Sequence, residues 1–108
     1  MKKILLLLLL LPAFCFGQIE IKVFNAGWNS ANGVAWVFDL KDCKAVGVTD
    51  IAKHPKIAKK YKIAVVPTII IFKDGEEVAR FQADLSFKMV ATKEEVQEEI
   101  SNQKMSDF

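Results

Sequence analysis

Val66-Pro67-Thr68-Ile69-Ile70-Ile71-Phe72-Lys73-Asp74-Gly75-Glu76 runs from a proline loop through an unbroken β-branched and aromatic segment into an Asp-Gly turn. A continuous apolar run of this kind, from Thr68 to Phe72, predicts a strand buried on both faces. Lys73-Asp74-Gly75-Glu76 reads as a hairpin turn with Asp-Gly at its centre. Glu77 to Gln82 then returns as an antiparallel strand.

Working toward the N-terminus, His54-Pro55 opens a short helix through Tyr61, since proline is tolerated in a first helical turn. Its lysines Lys53, Lys56, Lys59, Lys60 and Lys62 read as a solvated face. Cys43 to Ile51, with Ala45, Val46, Val48 and Ile51 around one glycine, suits a strand. Val34 to Leu40 is apolar enough that periodicity alone does not separate a buried helix from a strand. A helix is the preferred reading, with Asn29 or Ser30 able to cap its start. Gln18 to Phe24 alternates strictly, placing Ile19, Ile21 and Val23 on one face of a strand, with Phe24 joining the apolar set at its end.

Toward the C-terminus, Ala83 to Ala91 carries no clear pattern. Thr92 begins a capping box with Glu95. The helix that follows sets Val96 and Ile100 inward, exposes Glu94, Glu95, Glu98 and Glu99, and is expected to fray after Asn102 into a polar tail over residues 103–108. The order strand, helix, strand, short helix, strand, hairpin, strand, helix describes an α/β domain over residues 18–102. A parallel βαβ unit, then a hairpin and a closing helix, fits one mixed sheet with helices on both faces.

The first 17 residues read as a secretory signal. Met1-Lys2-Lys3 is a cationic start, Ile4 to Leu11 is apolar, and Gly17 stands at a plausible cleavage edge before Gln18. Lipidation at Cys15 is the rival reading, disfavoured by the bulky Phe14 before it. An uncleaved anchor is disfavoured by length, since a spanning helix needs about 20 apolar residues. A periplasmic or secreted location is expected, with no stable membrane span once the signal is removed. Of the 108 residues, 15 are basic and 13 acidic, and Lys2 and Lys3 account for the whole formal charge of +2. The mature domain is therefore near neutral, which gives no argument for nucleic-acid binding. Cys43 is the one cysteine left after the signal, so no internal disulfide staples the domain.

Three segments resemble thioredoxin. Lys22-Val23-Phe24-Asn25-Ala26-Gly27-Trp28 is similar to the strand and tryptophan that precede that family's Cys-x-x-Cys. Tyr61-Lys62-Ile63-Ala64-Val65-Val66-Pro67-Thr68 is similar to its segment ending in a cis-proline and threonine. Phe72-Lys73-Asp74-Gly75-Glu76 resembles the hairpin that follows. The resemblance covers nearly all of the mature chain and implies the minimal thioredoxin fold, with a four-stranded mixed sheet.

The departures concern the chemistry. Thioredoxins use a thiolate at a helix N-terminus, where partial positive charge lowers its pKa, and a second thiol to resolve the mixed disulfide. By the match, Asn29 and Asn32 stand in those two places, and Val23 stands where the family buries an acid. Nucleophile, resolving thiol and proton acceptor are all replaced. The resemblance therefore implies an exported thioredoxin-like domain without dithiol-disulfide exchange.

Such a domain is expected to bind a protein or extended peptide near the proline loop, through Trp28, Asn29, Ser30, Val66 and Pro67. In the family the backbone before this proline pairs with an extended partner segment, a form of strand addition. Asn29 has a second reading, as a simple helix cap. The enzymatic alternative is thiol-disulfide exchange through Cys43, alone or with a partner that supplies a thiol, with Lys41 and Lys44 able to lower its pKa if it is exposed. A third possibility places partner contact on the Lys53–Lys62 or Glu94–Glu99 faces. His54, the only histidine, has no second ligand-like residue at useful spacing, so neither a metal nor a cofactor is expected. Trp36, Phe38, Phe72 and Phe81 read as core.

Overall fold

The computed structural model describes residues 17–106. Residues 1–16 of the expected signal segment, Cys15 among them, lie outside the described residues. Four strands, β1 (Ile19–Asn25), β2 (Ala45–Asp50), β3 (Thr68–Lys73) and β4 (Glu76–Gln82), form one sheet in the order β2-β1-β3-β4. β1 and β2 are parallel, and the other two pairings are antiparallel. Helix α1 (Pro55–Lys60) packs on one face, and α2 (Lys93–Met105) on the other. No helix among the described residues is long and apolar enough to cross a membrane.

The two cores follow from strand alternation. Ile19, Ile21 and Val23 of β1 join Ile69 and Ile71 of β3 beneath Val96 and Ile100 of α2. Phe24, Ile70 and Phe72 point the other way, onto Ile57 of α1 and Tyr61. β3 is buried on both faces because both layers rest on it. Val96 and Ile100 are completely covered, and burial of each contributes about 1.5–3 kcal/mol. At the head of α2, Thr92 Oγ1 accepts from Glu95 N, and Glu95 Oε1 accepts from Thr92 N, closing the expected capping box. Asp74 and Gly75 both have positive φ, 53° and 86°, the conformation that a two-residue primed hairpin turn demands.

Three expectations are corrected. The segment after β1 forms no α-helix. It forms two 3-10 turns, Gly27–Asn32 and Ala35–Asp39, separated by extended backbone at Gly33. Val34, Val37 and Leu40 are buried at a spacing of three, which is the period of a 3-10 helix, so their side chains line up on the core. Phe38, expected in the core, falls outside that line and is 66% exposed. The last helix runs on to Met105, past Asn102. Lys73 Nζ ties its end down by donating to Gln103 O at 2.7 Å and to Ser106 Oγ at 2.8 Å.

Candidate functional site

β1 ends at Asn25, and the first 3-10 turn carries Trp28, Asn29 and Ser30 away from the sheet. Asn29 neither caps a helix nor faces solvent. The capping position belongs to Ala26, and Asn29 is 4% exposed. Its Nδ2 donates to Asn25 Oδ1 at 3.0 Å and to the carbonyl oxygen of Phe87 at 3.1 Å, while its Oδ1 accepts from Asn32 Nδ2 at 2.9 Å. Asn25 Nδ2 donates in turn to Asn29 O at 3.3 Å. Burying an amide is tolerable only when its groups are paired. Among the described residues, no buried side-chain nitrogen or oxygen lacks a partner. The expected contact role of Asn29 is therefore corrected: it is an internal strut, and Ser30 beside it remains exposed.

What Asn29 holds is an aromatic wall. Phe87 lies in the segment without sequence pattern, in a tight loop closed by an Ala83–Met89 bridge. Asp84 Oδ1 accepts from Ser86 N, Ser86 Oγ and Lys88 N, and the Ser86 hydroxyl above all keeps this carboxyl below its ordinary range. Phe87 takes a left-handed backbone conformation, φ 65°, unusual for a bulky residue. Its amide donates to Asp84 O and its carbonyl is gripped by Asn29. The ring then meets Trp28 edge to face, with centroids 5.1 Å apart.

Between this wall and the proline loop lies a groove of about 210 Å³, lined by Trp28, Ile51, Ile63, Val65, Val66 and Phe87. Trp28 is 66% exposed at its rim. The Val66-Pro67 bond is cis, as the resemblance implied. Pro67 itself is fully buried, so the loop offers the groove Val65 and Val66 while proline packs inward. Thr68 Oγ1 donates to Val65 O at 2.6 Å and fixes this bend. Trp28 and Val66 thus both line the groove, whereas Asn29 and Pro67 are buried and do not. Sequence reading missed Phe87, Ile51 and Ile63. The Asp84-x-Ser86 spacing, an Asx-turn pattern, was the available signal for the loop that carries Phe87.

Arg80, also missed, steadies the opposite wall. Its Nη2 donates to Tyr61 O at 2.7 Å and its Nη1 to Lys62 O at 3.0 Å, just before the chain turns into Ile63–Val66. Glu77 orients the guanidinium at 2.8 Å. A register shift in the β3–β4 ladder, with Ile71 opposite Ala79 and Phe72 opposite Glu77, leaves Val78 as the extra residue. That bulge lets Glu77 and Arg80 meet on one side of the strand.

Among the described residues, no cysteine lies at this site. Val23 is 2% exposed within the apolar cluster, so no acid lies beneath the asparagines at that place. Cys43 belongs to the far end of the sheet. Lys44 N donates to Ile19 O at the start of β1, whereas Asn29 follows the end of β1 at Asn25. Six residues of strand separate those ends, roughly 20 Å. Partial burial and then the neighbouring Asp42 push the Cys43 pKa up, which corrects the idea that Lys41 and Lys44 activate it. His54 is exposed and makes no capping bond. Among the described residues no group of acids, histidines or cysteines could hold a metal ion. The side chains that line the groove are apolar, and none of them carries a thiol.

No protein-family model matches the chain. Thioredoxin Y1 of Arabidopsis thaliana, a chloroplastic protein, is 49% identical over 51 residues, covering 47% of this chain and 30% of that protein. A thioredoxin of Chlamydia caviae is 46% identical over 35 residues, 32% of this chain and 34% of its own length. The chain thus spans about a third of the length of the curated relatives it matches. Among solved structures, a thioredoxin variant from Halobacterium salinarum superposes with a TM-score of 0.66 at 18% identity, covering 82% of this chain and 76% of that one. Schistosoma mansoni thioredoxin gives 0.60 at 25% identity, covering 89% and 85%.

Proposed function

We propose that this chain, which is thioredoxin-like in sequence and in fold, is an exported binding protein that holds an apolar, extended peptide segment and performs no dithiol exchange. The observation that carries the reading is the Trp28–Phe87–Val66 groove standing beside an Asn29–Asn32 hydrogen bond. A groove of this size and lining suits one aliphatic or aromatic side chain of a partner, whose burial supplies the affinity. The partner's backbone would run along the Val65-Val66 edge, as strand addition requires. Export rests on the Lys2-Lys3 start and the Ile4–Leu11 run.

Three measurements test this. Insulin reduction by dithiothreitol should proceed no faster with the protein than without it, and turnover that disappears in Cys43→Ser would defeat the binding-only reading. Capture of extended apolar peptides from an immobilised library should fall on Trp28→Ala and survive Cys43→Ser. Equal capture by wild type and Trp28→Ala would show that the groove is not the binding surface. N-terminal sequencing of the protein recovered from the cell envelope or medium should begin at Gln18, and retention of Met1 in the cytosol would remove the export claim.

A further inference from the structure

The sheet has two edges, and they are built differently. β4 is blunted by Glu76, Glu77 and Arg80 and by the bulge at Val78, devices that discourage another strand from adding. β2 has none of them. It pairs regularly with β1 from Ala45 to Asp50, and Ala45-Val46-Gly47-Val48-Thr49 contains no charge and no proline. The two 3-10 turns give it little cover. Val48 is 53% exposed and shares a groove of about 330 Å³ with Phe38, which is 66% exposed.

We propose that β2 pairs with β2 of a second copy, antiparallel about a two-fold axis through Gly47, so that one sheet continues through both molecules. The segment is self-complementary about that residue. Within β2, Ala45 falls opposite Thr49 and Val46 opposite Val48. β-Branched pairs facing each other across strands are a favourable combination. Ile51 N donates to Asn25 O at 2.8 Å, and in the regular β1–β2 register this turns the odd-numbered amides from Ala45 onward toward β1, while the amide of Lys44, which precedes the strand, also turns inward to Ile19 O at 2.7 Å. Val46 and Val48 therefore present their backbone groups at the free edge, and this register sets each against the other. Centring the axis on Val48 keeps the hydrogen bonds but sets Asp50 against Val46, and centring it on Val46 carries the ladder past Ala45 into the bend at Lys44. At the centre, glycine meets glycine, where the two backbones approach most closely. The exposed Val48 and Phe38 of each copy then cover one another, which identifies the occupant as the chain itself.

Sedimentation velocity on the protein expressed from its full sequence, purified as the cells release it, should show a concentration-dependent dimer. Val48→Lys should weaken self-association by about tenfold or more, and Lys59→Glu on the opposite layer should leave it unchanged. A side chain at Gly47 meets nothing within 4 Å. In a Cys43→Ser background, Gly47→Cys should therefore form a disulfide-linked dimer under mild oxidation, and Thr49→Cys, which faces Ala45, should form far less. A monomer at every concentration, a dimer indifferent to Val48→Lys, or equal cross-linking at positions 47 and 49 would overturn the proposal. Protected β2 amides in a monomer would also overturn it, by assigning the edge to another occupant.

Discussion

Asn32 donates from Nδ2 to Asn29 Oδ1 at 2.9 Å, so a hydrogen bond joins the two residues that the resemblance to thioredoxin sets against that family's cysteine pair. The bond is one rung of a ladder that continues to Asn25 and to the Phe87 carbonyl. An amide suits this place because it donates twice and accepts, and all of those capacities are used.

Asn29→Ala should therefore unsettle both fold and groove. It removes three side-chain bonds and strands Asn25 Oδ1 and Phe87 O in a buried setting. Loss of about 1–3 kcal/mol is expected, since an orphaned buried group costs its desolvation. Urea unfolding should show a lower midpoint at an unchanged slope. Peptide capture should weaken as well, because Phe87 then loses the contact that holds its left-handed backbone in place.

Asn29→Cys with Asn32→Cys tests how much of the exchange machinery the scaffold retains. Three residues of 3-10 helix advance about 6 Å, within the Cα separation of roughly 4.4–6.8 Å that a disulfide accepts. The double variant should oxidise to an internal disulfide and acquire detectable insulin-reducing activity. The rate should stay low, because Val23 supplies no proton acceptor beneath the pair. Thiol titration before and after oxidation, with the insulin assay, reads both expectations. Two free thiols under oxidant would mean that the ladder's backbone does not bring the positions together.

The parts of this structure legible in the sequence are those whose energetics are local. Alternation over Ile19–Phe24, the apolar run Thr68–Phe72, Asp74-Gly75, and Thr92 with Glu95 each specify their own conformation through neighbours a few residues away. The stretch from Trp28 to Leu40 does not. Val34, Val37 and Leu40 satisfy a helical face and a 3-10 face about equally, and their choice is made by contact with β1 and α2. Asparagine is equally ambiguous, because a capping residue and a buried strut have the same composition. Only the position of Phe87, 58 residues on from Asn29, shows which one is present. Phe38 was misplaced for the same reason, since its exposure follows from the three-residue period.

Cys43 should behave as a sluggish thiol. Its pKa is raised by burial first and by Asp42 second, so the thiolate is scarcer at neutral pH than for a free cysteine. Alkylation by iodoacetamide at pH 7.5 should be slower than for the same residue in urea, and the rate should climb with pH beyond the ordinary thiol range. Fast labelling near neutrality would revive a redox role for this residue.

The Arg80 clamp gives the last prediction and a pH dependence. Hydrogen bonding from Arg80 holds the Glu77 carboxyl below its ordinary range. Because the folded pKa is depressed, the pair's contribution is fully present above the unfolded carboxylate value of about 4.3, and it is lost as pH falls through the lower folded value. Glu77 is 40% exposed, so that contribution stays under ~1 kcal/mol, and Glu77→Gln should flatten this acidic portion of the stability profile without shifting neutral stability by more than that amount. Arg80→Ala should cost more, about 1–3 kcal/mol, because it also abandons the carbonyls of Tyr61 and Lys62. Those carbonyls lead into the Ile63–Val66 wall, so Arg80→Ala should reduce peptide capture where Glu77→Gln leaves it nearly intact. Hydrogen exchange should then show faster opening at Ile63–Val65 in Arg80→Ala alone, and equal exchange in both variants would detach Arg80 from the groove.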